Sequence, residues 1–342
     1  MFSYCQGRSK EFKYFELTNW SVQFMSSLYW ERLLSYYSTQ TIQKKLEKCY
    51  KNHSIENSSG LSYDNCYRFI YFLKHGENFF LQATQSPHAI QPILLFYGIS
   101  QLLKACLLIK DPLYPSTSSV LAHGVTSRKR KKQQYQFLKD EIKVQRNGLF
   151  SHVAKELFHI QDHLEAEKYS MELLLNQIPE MNTAFSFHQA KNNYMKVDTT
   201  DQLQIILTDA TAQQYHMSAE RLSEHIIEKY HFEPVNNASS EQILLQTKYA
   251  NHTFHCSPFA FHIEDNSFYL PSNRDSFINL PELLVHYLLL YNLSMISRYE
   301  TEWWYELLLG LSNDDYPIIL RYMEIAKRKI PYFILAFLEE WL

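Results

Sequence analysis

The chain has 342 residues, of which 46% are hydrophobic and 20% are charged, a balance that supports a packed core and excludes wholesale disorder. The formal net charge is −3, so a nucleic-acid-binding role would need a local basic patch. Glycine occurs only 7 times, at widely separated positions. The glycine-rich loops of dinucleotide-binding, P-loop and kinase folds are therefore excluded.

The five cysteines show no C-x-x-C pair and no regular spacing, so they predict neither a disulfide framework nor a thiolate metal site. The first ten residues lack the apolar core of a signal peptide. No uninterrupted apolar run approaches the roughly 20 residues that cross a bilayer. We expect a soluble cytoplasmic protein with no membrane partner and no cofactor.

Up to about residue 175 the apolar spacing predicts helices. The N-terminal stretch 20–34 carries apolar residues at mainly helical spacing, and Tyr63–Gln82 has a broad apolar face. Pro92 opens Ile93–Ile109, which is apolar nearly all round and therefore belongs at the centre of a bundle. Ser151–Tyr169 is predicted as another helix with one buried stripe.

The pattern changes near Ile178. Short β-type runs occur at Leu203–Leu207 and Gln242–Leu245, and Phe259–Leu270 predicts a hairpin that turns at residues 264–266. Ser218–Tyr230 is predicted as a helix with Ser218 as its N-cap. The fold class is therefore mainly α, a helical bundle with a small α+β insertion whose short strands lie between about 200 and 272. The expected divisions are an N-terminal bundle over 1–177, the insertion over 178–280 and C-terminal helices over 281–342 that pack back on the bundle.

Two segments of the chain echo each other. Leu94–Lys104 can be laid on Leu288–Arg298 so that apolar, tyrosine, serine and basic positions coincide in order. Two buried helices of similar composition would explain this, and so would a duplicated helical hairpin that packs as a pseudo-symmetric pair.

The densest block of charge consists of Arg128, Lys129, Arg130, Lys131 and Lys132. On a helix these side chains would cover more than one face, so they favour a phosphate-binding or acidic-partner site, with a solvated surface as the alternative. We assign Arg298, the last residue of the second echo segment, to the same partner-binding site as this basic block.

An arginine followed by a histidine is typical of one metal-independent ribonuclease family. Arg68 and His75 are two helical turns apart and share a helix face, whereas Arg146 and His152 straddle a helix breaker at Gly148. His75 could act as general acid or base while Arg68 steadies a phosphate. His123 is a third catalytic candidate, since it precedes Gly124 at the mouth of a connector and not on an apolar stripe. A surface arginine and turn histidines are the structural alternatives.

Two histidine clusters are weak metal candidates. Glu156, His159 and His163 fall on one face of the predicted helix, but an ordinary polar stripe has the same spacing. His252, His255, Cys256 and His262 lie in β-type sequence, where cross-strand packing explains them equally well.

The residues now assembled resemble the bacterial YaaC-like family. The resemblance rests on four blocks: Pro92–Gly98, Val120–Val125 with the basic run that follows it, Gly148–Phe150, and Leu290–Tyr299 with Trp303 and Trp304. It implies a cytoplasmic protein of Firmicutes whose gene commonly sits beside those of gyrase and IMP dehydrogenase, and it implies no reaction. More distantly, Phe96–Ala105 and His123–Gly124 look similar to HEPN domains, which are paired helical bundles that often cut RNA.

Two functions are therefore expected. The first is a non-enzymatic interaction or regulatory protein that binds an acidic protein or a nucleic acid through the basic segment, with an enzyme of purine nucleotide metabolism such as IMP dehydrogenase as one candidate partner. The second is a metal-independent endoribonuclease that uses an Arg/His pair.

Overall fold

The computed structural model describes residues 28–127, 135–160, 164, 167–202, 204–230, 232–235, 242–248, 257–272, 278, 280–310 and 313–342. The architecture is mainly α with an α+β insertion, as the sequence predicts. Two hydrophobic cores result, a large helical one and a smaller one behind a sheet.

The N-terminal helices are α1 (Thr39–Asn52), α2 (Ser58–Gln85) and α3 (Gln91–Lys110). Helix α3 packs against both α1 and α2, with Pro92 in its first turn, where a missing backbone N–H costs nothing. It ends at Asp111, directly before Pro112. Among the described residues, α3 alone is long and apolar enough to cross a membrane, yet most of it is buried inside this chain. Its composition thus matches the central helix that the sequence predicts.

The C-terminal helices are α9 (Glu282–Tyr299), α10 (Thr301–Gly310) and α11 (Asp315–Trp341). Both α9 and α11 pack directly on α3. Side chains from the two ends of the chain, such as Leu33 and Leu338, therefore belong to one hydrophobic core.

Along the chain, a three-stranded antiparallel sheet follows the N-terminal helices. Its strands β1 (Val125–Ser127), β2 (Glu141–Val144) and β3 (Lys168–Ser170) are arranged in that order. The short helices α4 (Leu149–Phe158), α5 (Met171–Leu175) and α6 (Asn182–Gln189) accompany it. The prediction of strands only after about residue 200 was therefore too narrow.

The predicted helix over 151–169 was also wrong in its extent. Helix α4 ends at Phe158 because His159 adopts a left-handed conformation, with φ of 56°, that closes the last turn. The chain then reaches β3 by residue 168.

The insertion is built around a six-stranded antiparallel sheet in the order β6-β7-β5-β4-β9-β8. Its elements are β4 (Tyr194–Thr199), β5 (Ile205–Leu207), α7 (Asp209–Gln213), α8 (Ala219–Lys229), β6 (Phe232–Pro234), β7 (Ile243–Thr247), β8 (Ala260–His262) and β9 (Ser267–Pro271). The predicted hairpin is the β8–β9 pair. The predicted N-cap is confirmed, since the Ser218 Oγ accepts from the Arg221 N–H at 3.4 Å.

Helix α11 joins the two cores. The Tyr332 ring lies 5.8 Å from Phe261 of the sheet and 5.4 Å from Tyr29 of the helical core. Three residues earlier, the Lys329 ammonium lies 2.6 Å from the Glu180 carboxylate, and both side chains are fully buried. The position of the sheet on the bundle is therefore set by apolar packing and by buried charge together.

Candidate anion-binding site

The two echo segments pack against each other as α3 and α9. Near the C-terminus of α9, the Ser297 hydroxyl donates to the Ala89 carbonyl, just before α3, at 2.7 Å. Near the N-terminus of α9, Tyr287 has a side-chain hydrogen bond with Ser100. These contacts make the two helices antiparallel. An antiparallel pair brings the matching tyrosines in the middle of the echo, Tyr97 and Tyr291, to neighbouring places, while Lys104 and Arg298 lie toward opposite ends of the pair.

Arg298 is held over this surface by its neighbours. Its Nε donates to the Ser294 carbonyl at 3.0 Å, and its Nη1 donates to the Tyr97 hydroxyl at 3.3 Å. The guanidinium carbon also lies 5.9 Å from the Tyr97 ring centre and 5.2 Å from that of Tyr299, within the range of cation–π attraction. In the described part of the chain no carboxylate comes within 4.0 Å of this guanidinium. Its charge is oriented but not neutralised.

His123 lies half-buried at the entrance to β1. Its ring meets Phe96 edge-on at 5.0 Å and Tyr291 at 5.6 Å. Its backbone carbonyl accepts from the Tyr287 hydroxyl at 3.0 Å and from the Phe150 N–H at 3.2 Å. The position of this histidine is thus fixed by contacts to its ring and to its main chain.

The electrostatics at His123 are positive. Burial lowers the pKa of this imidazole, and the charges of Arg298 and Lys104 lower it further. Burial also lowers the pKa of Lys104, whose Nζ lies 5.8 Å from the Phe72 ring centre. His123 is therefore neutral at pH 7. An anion at this place would favour the protonated imidazole.

We call His123, Arg298, Lys104, Tyr97 and Tyr291 the cationic cluster. The sequence singled out His123 and Arg298, but not the other three. The signal that could have found them was the echo, because it aligns Tyr97 with Tyr291 and Lys104 with Arg298.

Arg68 and His75 both lie on α2, as predicted, and their described contacts are with different groups. Arg68 turns toward the protein, where Nη1 donates to the Asn65 side-chain oxygen at 2.8 Å and Nη2 donates to the Tyr114 carbonyl at 2.5 Å. His75 is exposed, and its ring lies 4.6 Å from Phe79. Arg68 therefore fastens the connector after α3, and His75 lies two turns further along α2 on the same face.

The described members of the two metal-candidate clusters have other partners. The Glu156 carboxylate pairs with Lys155 at 2.9 Å, and His159 closes α4 in its left-handed conformation, while His163 lies outside the described residues. No group of three potential metal ligands occurs in the ranges that the structure describes. Of the second cluster only His262 is described, and its Nδ1 lies 2.9 Å from Asp265.

The basic segment Arg128–Lys132 also lies outside the described residues. Along the chain it follows β1 directly, five residues after His123. Strand β1 itself contacts α9, the helix that carries Arg298.

Comparison with known proteins gives one match. The family model described as YaaC-like Protein matches residues 34–338, which is most of the chain. No curated protein and no solved structure matches significantly.

Proposed function

This chain belongs to the YaaC-like family, and within that family we propose that it is a binding protein for the phosphate groups of an anionic partner. The observation that carries the proposal is the guanidinium of Arg298, which the Tyr97 hydroxyl helps to orient and which has no carboxylate within 4.0 Å in the described part of the chain. Burial lowers the pKa of His123, and the positive charges of Arg298 and Lys104 lower it further, so the surroundings of this imidazole are positive. A phosphate would be an acceptor for the guanidinium and would favour the protonated imidazole.

The basic segment extends this proposal along the chain. Arg128–Lys132 would add further phosphate contacts, since they follow the strand that begins two residues after His123. Each phosphate that a protein neutralises on a nucleic acid releases counterions, so a partner with several phosphates would bind with a strong salt dependence. This favours a polyanion over a small singly charged ligand.

The test compares binding of a labelled single-stranded RNA and of inorganic polyphosphate across a salt series. The variants are Arg298→Gln, Lys104→Gln and the five-fold Gln replacement of 128–132. Arg221→Gln is the matched control, because Arg221 is an exposed arginine on α8 in the insertion. We expect each site variant to weaken binding and to reduce the log–log salt slope by about 0.7 per lost contact, while the control binds as wild type does.

Absence of binding to both probes at low salt would overturn the proposal. So would equal loss in Arg221→Gln, because the contacts would then be non-specific. Retention of an acidic lysate protein by the wild type, with neither phosphate probe able to compete for it, would make the partner a protein and would also contradict a phosphate site.

A metal-independent ribonuclease is the second candidate, and the neutral state of His123 favours it. At pH 7 this imidazole could accept the proton of a ribose 2′-hydroxyl as that oxygen attacks the adjacent phosphorus. The bond to the 5′ oxygen would break, with a proton supplied by water, to leave a 2′,3′-cyclic phosphate. Arg298 and Lys104 would stabilise the charge on the phosphoryl oxygens.

Incubation of labelled RNA with the protein and excess EDTA tests this candidate. Cleavage that survives the chelator, ends in cyclic phosphate and is lost in His123→Ala would support it. No cleavage by the wild type would exclude it and leave the binding function.

A further inference from the structure

The cationic cluster continues onto α2 through aromatic rings. The Tyr97 ring stacks on Phe79 at 5.9 Å with an interplanar angle of 26°, and Phe79 lies 4.6 Å from the His75 ring. We call His75, Phe79 and Tyr97 the aromatic strip. It begins at the tyrosine that accepts from Arg298, so the strip and the cluster form one continuous surface.

Solvent reaches this strip. His75 is exposed, and Phe79 and Tyr97 are half-buried, so they are held by the helices but keep accessible ring surface. On the other side of Arg298, the Tyr299 ring is 64% exposed. Accessible aromatic rings and an unneutralised guanidinium therefore share one surface.

The combination matches the two parts of a nucleotide. Phosphate groups are recognised by arginine and lysine, and the bases are recognised by aromatic faces on which they stack. A simple phosphate or an acidic peptide would use the cations and leave the strip without a role. Neighbouring ring centres in the strip are 4.6 and 5.9 Å apart, and the Tyr97 hydroxyl lies 3.3 Å from Arg298. One nucleotide can therefore touch the strip and the guanidinium at the same time.

We propose that the ligand of this surface is a nucleoside phosphate, whose phosphate lies at Arg298 and whose base stacks on the aromatic strip. This inference rests on the proposed function and narrows its ligand. The nucleotide can be free or can be one unit of a single strand, since the same chemistry serves both.

The experiment uses probes matched in phosphate and different in base. ATP is compared with inorganic tripolyphosphate, and a single-stranded deca-adenylate is compared with an abasic decamer of the same backbone. We expect the probe that carries bases to bind more tightly in each pair, and stacking of one base predicts roughly a 5- to 100-fold difference. Tighter binding of the deca-adenylate than of ATP identifies a single strand as the ligand, and tighter binding of ATP identifies a free nucleotide.

Variants separate stacking from charge. His75→Ala and Phe79→Leu should weaken the probes that carry bases and leave tripolyphosphate and the abasic decamer unchanged, whereas Arg298→Gln should weaken all four. Tyr63→Ala is the matched control, an exposed aromatic residue on α2 at 59% exposure that lies outside the strip. Since Phe79 is half-buried, Phe79→Leu is compared with the wild type at a temperature at which the variant's thermal unfolding curve shows a folded protein. His75→Ala changes an exposed residue and serves as the second variant.

Equal affinity within each matched pair would overturn the inference while the phosphate-binding function stands. Loss of both kinds of probe to the same extent in His75→Ala would overturn it as well, since the strip would then not distinguish a base. If the wild type binds none of the four probes, the inference and the proposed function fail together.

Discussion

Gly148 packs directly against Gly124, so closely that a Cβ at position 148 would lie 2.2 Å from the Gly124 Cα. Both residues have positive φ, 137° and 78°. Beside this contact the Leu149 N–H donates to the Ala122 carbonyl at 2.7 Å and the Phe150 N–H donates to the His123 carbonyl at 3.2 Å. The two glycines thus determine where the backbone of His123 lies.

Gly148→Ala should therefore damage both stability and the cationic cluster. The backbone contact is too short to accept a methyl group, and strain and overpacking of this kind cost about 1–3 kcal/mol each. We expect a lower melting temperature and, because His123 is displaced, weaker polyphosphate binding in the folded variant. Gly310→Ala is the control, since nothing lies within 4 Å of a Cβ there. A Gly148→Ala protein with the stability and affinity of the wild type would refute this account.

The buried ammonium of Lys329 predicts a large stability effect. It lies 2.6 Å from both the Glu180 and the Glu282 carboxylates. Burial opposes its charge, but the two carboxylates outweigh burial and raise the pKa of Lys329. The other oxygen of Glu180 accepts from the Ile263 N–H at 3.0 Å, so this group of charges connects α11 to the sheet.

Lys329→Met should lower the free energy of unfolding by about 3–5 kcal/mol, because it leaves two carboxylates buried without a compensating charge. Lys51→Met removes an exposed partner of Glu47 and should cost no more than about 1 kcal/mol. Urea unfolding curves of the two variants measure the difference. Similar losses in both would show that the buried charges are solvated in a way that the structure does not indicate.

Arg68 provides a test between a catalytic and a structural role. Its guanidinium donates to the Asn65 side chain and to the Tyr114 carbonyl, and removal of it leaves those acceptors without a partner in a part-buried place. Arg68→Ala should therefore cost about 1–3 kcal/mol of stability. Binding of phosphate probes by the folded fraction should not change. A stable Arg68→Ala protein that has lost affinity or RNA cleavage would instead return Arg68 to the functional site.

Long apolar patterns made the helical core predictable from the sequence. Helices α3 and α9 repeat their apolar positions over four or more turns, and the β8–β9 hairpin has alternation and a turn signal. The sheet of β1, β2 and β3 was missed because its strands have three or four residues, too few for alternation to repeat. Its corner also depends on the φ angles of Gly124 and Gly148, which no spacing reveals.

The candidate site was predictable only in part, for a different reason. His123 and Arg298 are 175 positions apart in sequence, and their meeting depends on the antiparallel packing of α3 on α9. Lys104 was hidden inside an apolar helix. The likeness to HEPN domains and the phosphate contacts of Arg128–Lys132 stay predictions.

The last prediction concerns the pH dependence of binding. In the free protein the pKa of His123 is lowered by burial, Arg298 and Lys104. A bound phosphate would raise that pKa, and by linkage protonation would in turn strengthen binding. Affinity should therefore rise as the pH falls through the pKa of His123 in the complex, by at most about tenfold per pH unit, and level off once His123 is protonated in the free protein as well.

A probe of internal phosphodiesters isolates this effect, because a terminal phosphate itself titrates near pH 6. His123→Asn should bind with an affinity that does not change with pH, and His75→Ala should keep the dependence, which separates the two histidines near the surface. The same lowered pKa makes the folded state less stable in acid, since the unfolded chain takes up the proton first. Binding is therefore measured only where the unfolding curve shows a folded protein. An affinity that is flat between pH 5 and 8 in the wild type would mean that no anion lies near His123.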